Sequence, residues 1–269
     1  MPIVPFLKWP GGKRWFVTQY AHLLPSEYGT YIEPFLGSGA VFFHLEPAKA
    51  LLGDTNKELI ATYQAIKNNP AGVERQLKQH HRFHNAKYYY SVRDKWMRTE
   101  ETRAAQFIYL NRTCFNGIYR VNLQGKFNVP VGTKTAVVLE SDDFKATAEL
   151  LKRAIFCCED FEVLINRAEE GDLIFADPPY TVRHNNNGFV KYNEKLFSWS
   201  DQERLAHALT RAAKRGVKVV ASNAAHSEVK ALYSQPTFTF LEVSRYSSIS
   251  SNSTSRRSYC ELVIRANCD

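Results

Sequence analysis

Two consecutive prolines, Pro178-Pro179, stand after the apolar run Leu173-Ile174-Phe175-Ala176 and a single acid, Asp177. Proline lacks the backbone N–H that a β-ladder needs and fixes φ near −65°. The run therefore reads as a buried strand that must end at Asp177 in a stiff turn. Such a turn aims the Asp177 carboxylate and the Pro178 carbonyl from one edge of a sheet, with the aromatic Tyr180 following. Two acceptors beside an aromatic ring suit an exocyclic amine on a planar base. The acceptors hold its two N–H groups while the ring stacks on the base. A purely structural Asp-Pro-Pro turn would use the same residues, so the rest of the chain has to weigh between the two.

A second constellation lies upstream. Thr30-Tyr31-Ile32-Glu33 has β character, Pro34-Phe35-Leu36-Gly37-Ser38-Gly39 is a glycine-containing turn, and Ala40 to Leu45 reads as a short apolar helix. Ala50 to Gly53 leads like a second strand into Asp54. A glycine turn between strand and helix lets a ligand approach the backbone, and an acid closing the next strand can accept both hydroxyls of a ribose. The turn has GxG rather than GxGxxG, and no Walker-type Gly-Lys-Ser/Thr accompanies it. A nucleoside cofactor without a phosphate cradle, such as S-adenosylmethionine, fits this pattern better than NAD or ATP. An ordinary tight turn explains the glycines equally well.

The formal net charge of +8 is unevenly placed. Between Lys67 and Lys134 there are 13 Lys and Arg against 4 Asp and Glu, a net of +9; the remainder has 22 against 23, a net of −1. A solvated helical face would mix the signs. A basic module inside a neutral protein favours a polyanionic partner, chiefly nucleic acid. No apolar run approaches the ~18–20 residues that span a bilayer, and Met1 to Phe6 lacks the charged start of a signal peptide. The expectation is a soluble cytoplasmic protein with no membrane partner. Cys114, Cys157, Cys158, Cys260 and Cys268 are an odd set with no CxxC spacing, so neither a disulfide framework nor a zinc site is expected. Cys157 and Cys158 follow an apolar run and read as core.

Three blocks emerge. Residues 1–56 and 146–269 alternate strands and helices, which implies a doubly wound α/β sheet of Rossmann type with the last two strands antiparallel at one edge. Strands are expected at Ala154 to Cys158, Asp172 to Ala176, Gly216 to Ala221, Thr237 to Val243 and Tyr259 to Arg265, and an amphipathic helix at Asp201 to Lys214. Residues 57–145 read as an inserted, mainly helical module, followed after Asn111 by a Gly- and Asn-rich stretch with β-like pieces at Ile118 to Val121 and Lys126 to Val131, a hairpin or extended loop.

In these positions the chain resembles the Dam-type DNA adenine methyltransferases over nearly its whole length. Phe6-Leu7-Lys8-Trp9-Pro10-Gly11-Gly12-Lys13 resembles the family's FLKWxGGK motif, Glu33 to Gly39 its cofactor turn, and Asp177 to Tyr180 its catalytic tetrapeptide. Asn111 to Asn122, running on to Gly125 to Gly132, resembles its DNA-recognition segment, and Ser247 to Asn252 a C-terminal stretch. The resemblance implies a methyltransferase that uses S-adenosylmethionine on adenine N6 in double-stranded DNA, with GATC the family's usual target. It implies cofactor contacts from Trp9, Lys13, Glu33, Phe35, Gly37, Asp54 and Asp177, with Asp160 and Phe161 flanking the adenine. Asp177, Pro178 and Tyr180 become the catalytic set. Arg120 matches an arginine that reads guanine, and Phe115 and Asn116 match positions near a flipped-out base. Asn122, Lys126, Asn128 and Arg112 complete the DNA contacts, Arg112 and Lys126 on phosphate. Pro10 stands where the family commonly has Ala, and Phe115 where it often has Tyr; the second change keeps stacking and removes a hydroxyl.

Two alternatives stay open. An RNA or protein-glutamine substrate would keep the chemistry, although glutamine enzymes usually carry Asn at the place of Asp177 and lack the basic insert. A DNA-binding protein without catalysis would not need an intact Asp177-Pro178-Pro179-Tyr180. His80, His81 and His84 have helical spacing without an acidic or Cys partner, so a phosphate-facing helix accounts for them better than a metal. Ser247 to Ser258, with Arg256 and Arg257, reads equally as a disordered patch or a DNA-backbone contact. Pairing with a restriction nuclease is left open.

Overall fold

A computed structural model describes residues 3–122, 124–181, 197–246 and 258–268. The serine-rich stretch Ser247 to Arg257 lies outside them. The chain divides into two compact units, Met1–Val17, Leu36–Ala48 and Asp54–Cys158 in the first, and Thr18–Phe35, Lys49–Gly53 and Glu159–Asp269 in the second. Helix α1 (Arg14–Gln19) spans the first boundary. Among the described residues no helix is long and apolar enough to cross a membrane.

The first unit is mainly helical. It holds α2 (Ala40–Leu45), α3 (Lys57–Asn68), α4 (Pro70–Phe83), α5 (Ala86–Asp94), α6 (Glu100–Thr113), α7 (Phe144–Leu151) and strand β3 (Ala154–Cys157). Each long helix starts where a short polar side chain can accept an otherwise orphaned N–H. Asn56, Asn69 and Asn85 cap α3, α4 and α5, Pro70 fits the first turn of α4, and Thr99 and Thr102 form a capping box on α6. α6 is the central helix: α3 and α4 pack on it, and it is buried from Leu110 through Thr113. This unit does not coincide with residues 57–145. Phe6 meets Tyr63 at 5.1 Å, Phe144 at 6.0 Å and Phe43 at 6.3 Å, and these ring contacts draw the N-terminal segment and α2 into the helical unit.

Arg112 is corrected by its burial. It is 2 % exposed, donates through Nη1 and Nη2 to both oxygens of Asp142 at 2.6 Å, and also reaches the carbonyls of Phe6 and Val137. A guanidinium whose donors are turned inward ties α6 to two flanking segments and is not presented to a phosphate.

After α6, among the described residues, the expected β-like pieces pair at the isolated bridges Cys114–Val131 and Val121–Phe127. The Asn122 N–H donates to the Lys126 carbonyl at 2.8 Å and the Asn128 N–H to the Arg120 carbonyl at 3.2 Å, so this arm folds back on itself as a short antiparallel pair without a longer strand. The Asn122 side chain accepts the N–H groups of Gln124 and Lys126, a local turn that takes these N–H groups out of any ladder.

The second unit is built on a sheet. β1 (Tyr31–Glu33), β2 (Ala50–Gly53) and β4 (Leu173–Ala176) are buried along their whole length, the pattern of parallel strands with continuous apolar runs. β1 pairs in parallel with β2 and with β4 (Ile32 opposite Leu51 and Ile174), and β4 pairs in parallel with β5 (Lys218–Ala224; Ala176 opposite Ala221). β7 (Ser258–Ala266) runs antiparallel to β5 and to β6 (Thr239–Tyr246). The six strands follow the order β2-β1-β4-β5-β7-β6. α8 (Phe161–Asn166), α9 (Trp199–Lys214) and α10 (Ser227–Leu232) complete the unit. α9 begins at a Ser198–Asp201 capping box and packs Leu205, Ala208, Leu209 and Ala212 against α8 and β5, a helical stripe of apolar residues. Cys157 is buried but Cys158 is exposed, because successive residues of an extended chain face opposite ways.

Candidate active site

In the second unit the chain leaves β1 toward β2 on one side, while β4 and β5 extend on the other. The crevice outside the carboxyl ends of β1 and β4 is thus a switch point of the topology, the place where open α/β sheets bind ligands. Glu33-Pro34-Phe35 leaves β1 there and Asp177-Pro178-Pro179-Tyr180 leaves β4. Asp177 is half-buried and Pro178 buried.

Partners far along the chain hold the tetrapeptide. Ser222 of β5 donates its hydroxyl to Oδ1 of Asp177 at 2.7 Å. Tyr180 donates to Oε2 of Glu261 on β7 at 2.6 Å. Gln202 Nε2 donates to the Pro179 carbonyl at 3.1 Å, and Asn223 Nδ2 in turn donates to Gln202 Oε1 at 2.9 Å. Burial, and then the nearby Asp177 and Glu261 carboxylates, push the Tyr180 phenol well above its ordinary pKa, so it stays a proton donor. Ser222, Gln202, Asn223 and Glu261 carry no sequence signal, since a lone polar residue on a strand or helix resembles any surface residue. Their only mark is burial beside one another.

Glu33 is buried and accepts the Tyr31 hydroxyl at 3.0 Å. Phe35, Phe161 and Phe197 form an aromatic cluster with centroids 5.4 to 5.6 Å apart. Asp160 caps α8 through the Glu162 N–H and pairs with Arg204 at 2.7 Å, and the Arg204 guanidinium lies 4.8 Å over the Phe161 ring. Phe197 and Arg204 are the members that sequence reasoning missed.

In the first unit Trp9, Gly37 and Asp54 come together. Gly37 has φ +48°, and a Cβ there would lie 2.7 Å from Trp9 Cδ1, so only glycine fits both the backbone and the approach. Its N–H donates to Asp54 Oδ2 at 3.1 Å, its carbonyl accepts the Tyr63 hydroxyl at 3.0 Å, and the Asn56 N–H donates to Asp54 Oδ1 at 2.9 Å. Burial raises the Asp54 pKa, opposed by backbone N–H groups of Asn56, Gly37 and Thr55. An ionised carboxylate offers about four acceptor sites, so Asp54 keeps acceptor capacity beside these backbone donors. Lys13 is buried, with Nζ 3.2 Å from the Gly11 carbonyl and 5.9 Å from the Trp15 ring centroid. The half-buried Trp9 ring stacks on Tyr119 at 5.6 Å and Phe107 at 6.3 Å. Tyr119, which sequence reasoning also missed, thus joins the arm to Trp9.

The arm carries the remaining candidates on its surface. Phe115 is 53 % exposed, a large ring left in solvent at the end of α6. Asn116 has φ +57° and Gly117 φ +65°, and a Cβ on Gly117 would strike the Lys8 side chain at 2.8 Å. Arg120, Asn122, Lys126 and Asn128 are exposed, and Arg120 Nε donates to Asn128 Oδ1 at 3.0 Å.

The histidines do not form a phosphate-facing row. His80 is buried, stacked on Tyr109 at 4.8 Å with Nδ1 2.9 Å from the Tyr88 hydroxyl, and His84 meets the Tyr109 hydroxyl at 2.8 Å; His81 alone is exposed. Aromatic packing decides this, since α4 turns His80 toward α6. Among the described residues no group of His, Cys, Asp and Glu could hold a metal.

Residues 9–249 match the family described as D12 class N6 adenine-specific DNA methyltransferase. The Type II methyltransferase M1.LlaDCHI of Lactococcus lactis subsp. cremoris is 34 % identical, covering 97 % of this chain and 94 % of that protein. The Type II methyltransferase M.MjaIII of Methanocaldococcus jannaschii is 36 % identical over 83 % of this chain and 85 % of its own length. The DNA adenine methylase of Escherichia coli K12 is 30 % identical over 96 % and 93 %.

Proposed function

The chain belongs to the D12 class of N6 adenine-specific DNA methyltransferases, and on that premise we propose that it methylates adenine N6 in double-stranded DNA at a short site, GATC the leading candidate, using S-adenosylmethionine and a flipped-out base. The observation that carries the reading is the Asp177-Pro178-Pro179-Tyr180 turn at the carboxyl end of β4, beside the turn that leaves β1.

The residues present fit the cofactor. Asp54, held by backbone N–H groups that include those of Gly37 and Asn56, keeps acceptor capacity toward ribose hydroxyls. The Lys13 ammonium complements a methionine carboxylate and Trp9 and Gly37 offer an apolar face in the first unit; Glu33, Phe35, Asp160 and Phe161 are the cofactor contacts this reading assigns to the second. When bound, S-adenosylmethionine supplies a methyl group activated on a sulfonium. Asp177 and the Pro178 carbonyl accept the two amine hydrogens, draw the nitrogen from planarity and expose its lone pair, while Tyr180 stacks on the base. Oriented acceptors of this kind act where charge develops. Arg120 reads guanine O6 and N7, Phe115 fills the gap left by the flipped base, and Asn116, Asn122, Lys126 and Asn128 hold neighbouring DNA. The type II names of two relatives support a restriction nuclease as functional partner.

Tritiated cofactor offered with duplex DNA, RNA and protein tests the substrate, and sequencing of the methylated DNA gives the site. Label should enter duplex DNA alone, and Asp177→Ala should lose ~10²-fold or more in rate while still binding DNA. Label in RNA or protein, or a near wild-type rate for Asp177→Ala, would overturn the assignment.

A further inference from the structure

Stacking a base needs only an aromatic face, which phenylalanine would supply as well as tyrosine. The hydroxyl of Tyr180 is nevertheless engaged, and its acceptor is a carboxylate brought from 81 residues away. Glu261 is 5 % exposed and stands on β7 opposite Ala224 of β5. Burying a carboxylate is costly unless a donor meets it, and the 2.6 Å contact is of charge-assisted length. β7 is also the strand that breaks the parallel order by running antiparallel to β5. That insertion puts an acid beyond the far end of the Tyr180 ring.

We propose that Glu261 is a positioning residue for methyl transfer, acting through the Tyr180 hydroxyl to fix the ring against which the target base stacks. The proposal rests on Asp177 to Tyr180 being the base-binding turn. A tyrosine held only by its backbone swings about two side-chain torsions; one held also at its hydroxyl cannot. The base is then presented at one angle to the Asp177 carboxylate, which Ser222 holds at its other side. Glu261 touches neither base nor methyl group in this arrangement. Its effect should fall on the rate of the chemical step and not on affinity for cofactor or DNA.

The test is a mutant cycle on the full chain, read in single-turnover methylation of duplex DNA. Glu261→Ala should slow the step about tenfold or more, the scale on which small misplacements act, with cofactor and DNA dissociation constants unchanged. Glu261→Gln, which keeps an acceptor, should recover most of that loss. Tyr180→Phe combined with Glu261→Ala should be no slower than the slower single variant, because both break one link. A duplex with 2-aminopurine at the target should fluoresce more brightly with Glu261→Ala, since a loosened ring stacks less. Thermal melts establish folding, and if Glu261→Ala does not fold, Tyr180→Phe is read in its place: it keeps the stacking face and removes the donor to Glu261, so it should slow the step on the same scale, and a folded Tyr180→Phe at wild-type rate would overturn the role. A folded Glu261→Ala at wild-type rate, or losses that multiply in the double variant, would overturn the positioning role alone. A wild-type protein that transfers no methyl group to duplex DNA would overturn the functional reading together with it.

Discussion

Ser222 donates its hydroxyl to Oδ1 of Asp177 across 2.7 Å. The register of β4 and β5 makes this contact: Ala176 lies opposite Ala221, so the next residue of each strand meets its neighbour where β4 ends. One oxygen of the carboxylate is thereby fixed in rotation. Ser222→Ala should lower the methylation rate roughly tenfold, the worth of one hydrogen bond of ~1 kcal/mol or somewhat more to a charged group, with cofactor affinity unchanged. An unaltered single-turnover rate would show that Asp177 needs no such support.

Asp54 should govern the cofactor. Asp54→Ala removes the acceptor for ribose hydroxyls, so affinity measured calorimetrically should fall by ~1.5–3 kcal/mol. Burial raises the Asp54 pKa above its ordinary 3.8. The ionised form is the better acceptor, so wild-type affinity should weaken on acidification at a pH above that value. Unchanged affinity in the variant would remove Asp54 from the ribose.

Arg112 and Asp142 should matter for folding. Removing one partner of a buried ion pair strands the other, so Arg112→Ala should cost ~3–5 kcal/mol in urea unfolding. Stability equal to wild type would return Arg112 to the surface contacts.

The exposed arm should divide its labour. Arg120→Ala should reduce preference for the cognate duplex by ~1–3 kcal/mol and spare non-specific binding. Lys126→Ala should weaken both duplexes alike and make the salt dependence shallower by about one counterion. Titrations on cognate and single-mismatch duplexes at several salt concentrations separate the two. Equal losses for Arg120→Ala would reduce it to a phosphate contact.

His80 should make the protein acid-sensitive. Burial, and then the positive charge of Lys95, push its pKa from 6.5 to about 4. Between those values the unfolded chain binds the proton and the folded one does not, so stability falls as pH drops from 6.5 toward 4. The loss approaches ~3 kcal/mol at about 1.4 kcal/mol per pH unit. Thermal melts of wild type and His80→Gln across this range should converge in acid; parallel curves would contradict it.

The reach of the sequence can be judged residue by residue. Pro178 and Pro179 end β4 through their own covalent structure, and the glycine at 37 announces a left-handed turn, so both loops were legible locally. The same holds for α2 and β2, whose bounds follow from short apolar runs between glycines, prolines and charges, and for the antiparallel pair β6 and β7. Arg112 was not legible: its sequence neighbours are those of a DNA-facing segment, and only the packing of Phe6, Val137 and Asp142 around α6 turns it inward. The same is true of Ser222 and Glu261. A strand's pattern says which residues share a face, but the partner each one meets depends on register and on which strand lies alongside. Those are set when the whole sheet closes over its core. The sequence therefore determined which residues could do the chemistry, and tertiary structure alone decided which others hold them in place.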